Sequence, residues 1–286
     1  MLGQAEFDFL RSLVRERCAI VLEPGKEYLA DTRLAPLLRG GGFPSAVELC
    51  AVLRAAPRGE LERRVVEAMT TNETSFFRDI HPFEALRGRL LPELLAARAQ
   101  ERRLRLWSGA CSSGQEAYSL AMLLSEHFSG LRLWDVSVLA TDISRAMVQR
   151  TGAGLYGQLE INRGLPAPLL LNHFERIGTQ WQIKPALRQL VQARELNLAA
   201  PWPTLPRFDV ILLRNVLIYF DLDTRRSILR RARQALRPDG YLILGSAETT
   251  QLVDERWERV SCGTSVSYRP QAEAGRAAGR PAGAAR

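Results

Sequence analysis

The sequence has little cysteine and little histidine: four Cys and three His in 286 residues. Cys18, Cys50, Cys111 and Cys262 are scattered, with no CxxC pair and no clustered histidine. That argues against a disulfide framework or a zinc site and fits a reducing, cytoplasmic setting. Long apolar runs are also missing. None approaches the roughly 20 residues that span a bilayer, so no membrane insertion is expected. The start, MLGQAEFDFLRSLVRER, has acids in its first turn and reads as an amphipathic helix, not a signal peptide. No GxGxxG occurs, which disfavours a nicotinamide-dependent oxidoreductase. The net charge is +8, but no segment is a basic block interleaved with aromatics, as a nucleic-acid groove requires. Nucleic acid is therefore not an expected partner. The diffuse arginine excess suits an acidic protein surface about as well.

What remains is a hydrophobic fraction of 46% and a charged fraction of 24%, ordinary for a globular protein of one large and one small domain. Residues 1–80 read as an all-helical domain. Phe7, Leu10, Val14 and Cys18 share one helical face, the run Gly40-Gly41-Gly42 breaks the pattern, and Ser45 can cap the next helix. A further helix runs from about Glu60 to Ala68. Residues 81–103, rich in leucine and arginine, read as a helical connection.

From 104 to 270 strands alternate with helices, which indicates a doubly wound α/β sheet of Rossmann-like type. The strands are Leu104–Trp107, Val136–Asp142, Phe208–Leu213 and Tyr241–Gly245. Asp223 or Thr224 is expected to cap the helix carrying Ile228, Leu229, Ala232 and Leu236, and Pro238-Asp239-Gly240 to turn the chain into the last strand. Between about 157 and 198 the alternation lapses. Trp181–Ile183 and Leu190–Ala193 read as strands of a small β-subdomain. The low-complexity tail, 271–286, is expected to be disordered.

Three positions carry chemistry. Ser108–Gly114 is a run of small residues between a strand and a helix, where a ligand can lie against backbone and helix N-terminus. Glu116 sits where a pyrophosphate would be cradled. An acid repels phosphate and can pair with an ammonium group, which turns the reading from NAD toward S-adenosylmethionine. Asp142, at a strand end, can accept both ribose hydroxyls or can cap the helix from Ser144. Arg214-Asn215-Val216 closes the buried strand Phe208–Leu213, where ligand crevices form; a simple turn is the bland alternative.

Five stretches occur in order: TTNETSFFRD (70–79), LWSGACSSGQEAYSLAM (106–122), VLATDIS (138–144), LRNVLIYFD (213–221) and ALRPDGYLILGSAE (235–248). Together they resemble the CheR-type chemotaxis receptor methyltransferases over roughly residues 5–269. The resemblance implies S-adenosyl-L-methionine as methyl donor and S-adenosyl-L-homocysteine as product. It implies glutamate carboxylates of methyl-accepting chemotaxis receptors as acceptors, yielding glutamate 5-O-methyl esters. The partner is then the receptors' cytoplasmic helical bundle, met by a monomer. Cofactor contacts carry over to Asn72, Thr74, Arg78, Glu116, Asp142, Asn197, Leu198, Asn215 and Val216. Arg78 and Tyr219 occupy the positions proposed for catalysis, and no metal is implied. Asn72, Thr74, Asn197 and Leu198 rest on the resemblance alone.

Departures are few. Gly109 stands where many relatives have alanine, and Gln115 replaces an acid. The 173–181 connection is short where some relatives carry a glycine-rich loop that grips a receptor's C-terminal peptide, so no such tether is expected. Rival readings are a methyltransferase of another protein acceptor, a nucleic-acid methyltransferase and a non-catalytic receptor-docking module. The Asn/Asp-Pro-Pro-aromatic motif of many amine-directed enzymes is missing from Arg214–Tyr219.

Overall fold

The computed structural model describes residues 2–55 and 59–271. Apolar residues spaced three and four apart need a shared partner surface, and the first seventy positions supply it to one another. Helices α1 (Gln4–Cys18), α2 (Glu27–Gly41), α3 (Ala46–Ala55) and α4 (Glu60–Met69) bury Phe7, Leu10, Leu34, Leu49 and Val65 in one core. Gly42, at φ +70°, ends α2 in the left-handed conformation that glycine tolerates. Ser45 Oγ accepts the Glu48 N–H at 3.3 Å, capping α3.

The connection is shorter than its periodicity suggests. Helix α5 (His81–Ala85) runs through a π turn, Leu86–Leu90, into α6 (Leu91–Ala97). The helix stops there instead of at 103, and strand β1 (Arg103–Gly109) begins at Arg103. Helix α7 (Gln115–His127), strand β2 (Asp135–Asp142) and helix α8 (Arg145–Ala153) follow.

A second, antiparallel sheet comes next. Its strands are β3 (Leu155–Gly157), β4 (Phe174–Ile177) and β5 (Gln180–Ile183), in the order β3-β5-β4. Short helices α9 (Gln158–Ile161), α10 (Ala167–His173) and α11 (Pro185–Arg188) surround it. The strand expected at Leu190–Ala193 does not belong to this sheet. As β6 (Val191–Glu195) it pairs in parallel with β2, Val138 opposite Val191. It covers the otherwise open edge of β2, so the subdomain's strands end at Ile183, short of the expected 198.

Strands β7 (Phe208–Leu213) and β8 (Leu236–Leu244), helix α12 (Leu222–Ala235) and the hairpin β9 (Trp257–Cys262) and β10 (Ser265–Pro270) complete the main sheet. Two details differ from the sequence reading. The cap of α12 is Asp221, whose carboxylate accepts the Thr224 N–H at 2.9 Å. Pro238–Gly240 lies within β8 as an irregularity in its pairing with β7, not as a turn before the strand. Of the tail expected to be disordered, residues 272–286 lie outside the described residues.

The seven-stranded order is β6-β2-β1-β7-β8-β10-β9, with β6 through β8 parallel and the hairpin antiparallel. Alternating side chains fill both faces. Leu106, Val138, Val210 and Leu212 pack on α7, while Trp107, Leu139, Ile211 and Leu213 pack on α12. Among the described residues no helix is long and apolar enough to cross a membrane.

Candidate active site

In an open parallel sheet the crevice forms at the carboxyl ends of the strands, where the order reverses. Here the reversal lies between β1 and β7. A cavity opens at that point, with about 860 Å³ of empty space, part of it open to solvent. Its walls include all ten residues singled out from the sequence: Asn72, Thr74, Arg78, Glu116, Asp142, Asn197, Leu198, Asn215, Val216 and Tyr219. They come from segments up to 147 residues apart in the chain, counted from Asn72 to Tyr219.

Asp142 ends β2. Its Oδ2 accepts the Ser112 N–H at 2.8 Å and its Oδ1 the Ser144 N–H at 2.9 Å. Burial pushes its carboxyl above the usual value, against the pull of those two backbone groups. The cap of α8 is Ser144 itself, whose Oγ accepts from Met147, so Asp142 is not the N-cap. Both Asp142 oxygens thus already accept a backbone N–H, and the residue lines the cavity.

Glu116 stands in the first turn of α7, on the helix terminus that would otherwise attract phosphate. Ser108 Oγ donates to its Oε1 at 2.7 Å and Arg214 Nη1 to its Oε2 at 2.9 Å. Arg214, its side chain only 1% exposed, also donates to the Arg78 carbonyl at 2.7 Å and to Asp79 at 3.1 Å. The strand end thereby holds both α7 and the 70–79 segment. From the sequence Arg214 reads only as one of the polar residues closing β7; its buried partners are a tertiary fact.

The 70–79 segment is irregular, and it is anchored at one aromatic. Phe76 is buried and meets Tyr156 and Phe174 edge to face, with centroids at 5.1 and 5.8 Å. Burying such a ring stabilises by about 1.5–3 kcal/mol. The Phe76 N–H reaches the Arg163 carbonyl, and the Phe77 N–H reaches Ser119 Oγ at 2.9 Å. Ser112 Oγ donates to the Asn72 carbonyl at 2.8 Å, which ties the segment across the mouth. Arg78 stays half-buried and donates to the Glu73 carbonyl at 3.1 Å.

Asn197 braces the wall against the helical domain. Its Nδ2 donates to the Arg17 carbonyl at 2.7 Å and its Oδ1 accepts from Ala199. Leu198 is a buried apolar wall. Tyr219 is half-buried, and among the described residues its hydroxyl has no hydrogen-bond partner. Its carbonyl accepts the Val21 N–H at 2.9 Å, and Ile20 bridges to Phe220. The end of α1 thus contributes Cys18 and Ile20 to the wall, which no local pattern announced.

Two thiols line the cavity as well. Burial pushes Cys18 up to about 11 and Cys111 still higher, so both are neutral, weak nucleophiles at neutral pH. Among the described residues no group of His, Cys, Asp and Glu stands ready to hold a metal. The residues present suit S-adenosylmethionine. A carboxylate already occupies the helix terminus, which repels a pyrophosphate, and Asp142 offers two acceptors at a strand end, where a ribose can meet them.

Comparison with known proteins agrees. Residues 5–70 match the family described as CheR methyltransferase, all-alpha domain, and residues 72–266 match CheR methyltransferase, SAM binding domain. Chemotaxis protein methyltransferase 1 of Pseudomonas aeruginosa is 42% identical over 272 residues, 93% of this chain and 98% of its own. Chemotaxis protein methyltransferase Cher2 of Pseudomonas putida is 38% identical, covering 93% and 98%. Chemotaxis protein methyltransferase of Vibrio parahaemolyticus is 39% identical, covering 92% and 95%.

Proposed function

The chain belongs to the CheR methyltransferase family, and on that premise we propose that it methylates glutamate side chains of chemotaxis receptors, forming 5-O-methyl esters. The observation that carries this reading is the pairing of Arg78 and Tyr219 around the same cavity as Glu116 and Asp142. Two carboxylates serve a cationic nucleoside donor, and a guanidinium and a phenol serve an anionic acceptor. The relatives' names supply the chemotaxis setting.

When bound, S-adenosylmethionine supplies an electrophilic methyl group on a cationic sulfur. Asp142 would take the ribose hydroxyls, Glu116 would face the ammonium group, and Asn197, Leu198, Asn215 and Val216 would flank the base. Asn72 and Thr74 would close over the cofactor from the 70–79 segment. A glutamate acceptor is already ionised at neutral pH, so no general base is needed. What the side chains contribute is then orientation and exclusion of water. Arg78 forks onto the acceptor carboxylate, and the unpartnered Tyr219 hydroxyl donates one oriented hydrogen bond. Residual negative charge on the acceptor is shared with two donors, while the half-buried walls strip its hydration.

The proposed partner is the cytoplasmic helical bundle of such receptors, met by a monomeric enzyme in the cytoplasm. The β4–β5 connection is a two-residue turn with Gly178 at φ +60°. That brevity supports action without a C-terminal peptide tether. Incubation with methyl-tritiated S-adenosylmethionine and receptor cytoplasmic fragments, followed by mild base, tests the chemistry. Release of labelled methanol is expected. Label that withstands base would mean the product is not a carboxyl ester, and would favour another protein acceptor chemistry.

A further inference from the structure

The loop after β7 carries Asn215, Val216 and Tyr219 to the cavity, and one side chain holds its backbone from behind. Glu248 Oε2 accepts the N–H groups of Gly245 and Asn215, each at 2.7 Å. Its Oε1 accepts those of Val216 at 2.9 Å, Leu217 at 2.7 Å and Ile218 at 3.3 Å. The amides of Val216, Leu217 and Ile218 open a short 3-10 turn, Leu217–Tyr219, whose first N–H groups have no partner within the turn, and the Asn215 amide joins them on one carboxylate. The run begins with Asn215 at φ +57°, a left-handed conformation that costs an L-residue about 1 kcal/mol. Parallel N–H dipoles repel one another unless an anion sits among them, and each buried amide left unpaired costs about 1–3 kcal/mol. The loop's conformation therefore depends on the carboxylate more than on its own sequence.

Gly245 belongs to the same device. A Cβ there would stand 2.7 Å from Glu248 Oε2 and 2.9 Å from the Asn215 nitrogen. Any larger residue would push the carboxylate off the amides. Glu248 itself is not among the residues lining the cavity, so its influence passes through the backbone it holds. The loop also meets Ile20 and Val21 through single backbone contacts, and Arg225 donates to the Phe220 carbonyl at 2.8 Å and the Ile218 carbonyl at 3.4 Å.

We propose that Glu248 is the positioning residue of this site: it sets the backbone of residues 215–218 and through it the seats of Asn215, Val216 and Tyr219. The proposal rests on reading the cavity as the S-adenosylmethionine site. Glu248→Gln is the sharpest test because it changes shape least. An amide has one acceptor oxygen, so its NH2 must face either Gly245 and Asn215 or the three amides on the other side. In the full-length chain, hydrogen exchange at residues 215–218 should quicken at least tenfold while that of β7 stays unchanged. The dissociation constant for S-adenosylhomocysteine, measured by calorimetry, should rise about tenfold. If the folded variant binds with wild-type affinity, whatever its melting temperature, Glu248 is only a stabilising residue and the proposal fails. Unchanged exchange at 215–218 overturns it equally. Should Glu248→Gln not fold, Glu248→Asp keeps the charge but draws the carboxylate back from the amides, and the same two readouts decide. Wild-type protein that does not bind S-adenosylhomocysteine would instead overturn the cofactor reading of the cavity, and the proposal with it.

Discussion

Replacing Asp142 with asparagine tests the ribose assignment by exchanging one atom. Both carboxylate oxygens already accept a backbone N–H, from Ser112 and Ser144, and each has one lone pair left for a hydroxyl. Asparagine retains a single acceptor oxygen, and its NH2 must face one of those two N–H groups. One ribose hydrogen bond must reverse, the hydroxyl accepting from the amide, and both lose the charge assistance that raises such bonds from about 0.5–1.5 to about 1.5–3 kcal/mol each. A loss of about 2–3 kcal/mol follows, roughly 30- to 150-fold in dissociation constant at about 1.4 kcal/mol per factor of ten. Calorimetric titration of S-adenosylhomocysteine into both proteins at neutral pH measures it, with a circular dichroism melt of each to establish folding. A folded variant whose dissociation constant stays within about threefold of wild type refutes the assignment. The pH dependence has a definite sign. Burial raises the Asp142 carboxyl above its usual value, and the ionised form is the better acceptor. Affinity should fall as pH drops through that raised value, at a higher pH than for an exposed aspartate. The unliganded fold responds oppositely. The folded chain holds this proton more tightly than the unfolded chain does, so this group alone adds stability as pH falls.

Arg78→Ala should lower methyl transfer at least about 100-fold while costing the fold only about 1 kcal/mol, because Arg78 donates one hydrogen bond, to the Glu73 carbonyl. Single-turnover kinetics beside a thermal melt separates the two effects, and unchanged turnover would sink the role. Gly164→Ala should destabilise by about 1–3 kcal/mol. Gly164 sits at φ +87°, and its new methyl would collide with the Phe76 carbonyl oxygen. Because Phe76 anchors the 70–79 segment, S-adenosylhomocysteine binding should weaken too, by calorimetry. Asp209→Asn should cost about 1–3 kcal/mol in urea unfolding. The buried carboxylate accepts from Arg98 Nε at 2.7 Å and from the Arg105 N–H at 2.8 Å, and an amide keeps only one acceptor oxygen, while Arg98 retains Asp239. Asp209 lies at the amino end of β7, away from the cavity, so binding per folded molecule should not change.

The parallel core was legible because a buried strand in an α/β sheet is a local apolar run: Phe208–Leu213 is buried at all six positions. What failed were decisions that need a partner in space. Leu190–Ala193 reads as a strand, but nothing within it says whether it joins the small sheet or the bare edge of β2. The cap of α12 slipped to Asp221 because several acceptors crowd that turn and only the observed backbone path selects one. The π turn at Leu86–Leu90 leaves no mark on a helical periodicity.

The candidate site divides along the same line. Glu116, Asp142 and Asn215 could be singled out from residue type alone, because the carboxyl end of a parallel strand faces the crevice wherever the chain goes next. Asn72, Thr74, Asn197 and Leu198 needed the family resemblance. They reach the cavity only because Phe76 is clamped by the small sheet and Asn197 is hydrogen-bonded to the end of α1. Glu248 and Arg214 are a step further removed. Each acts by what it holds, backbone amides in one case and a carboxylate with a distant carbonyl in the other, and such partners have no signature in the sequence near them. The 70–79 segment is thus held by Phe76 and Arg214, the loop after β7 by Glu248, and the wall at Asn197 by its bond to the Arg17 carbonyl. Those holding residues are where substitutions should alter binding without touching the ligand.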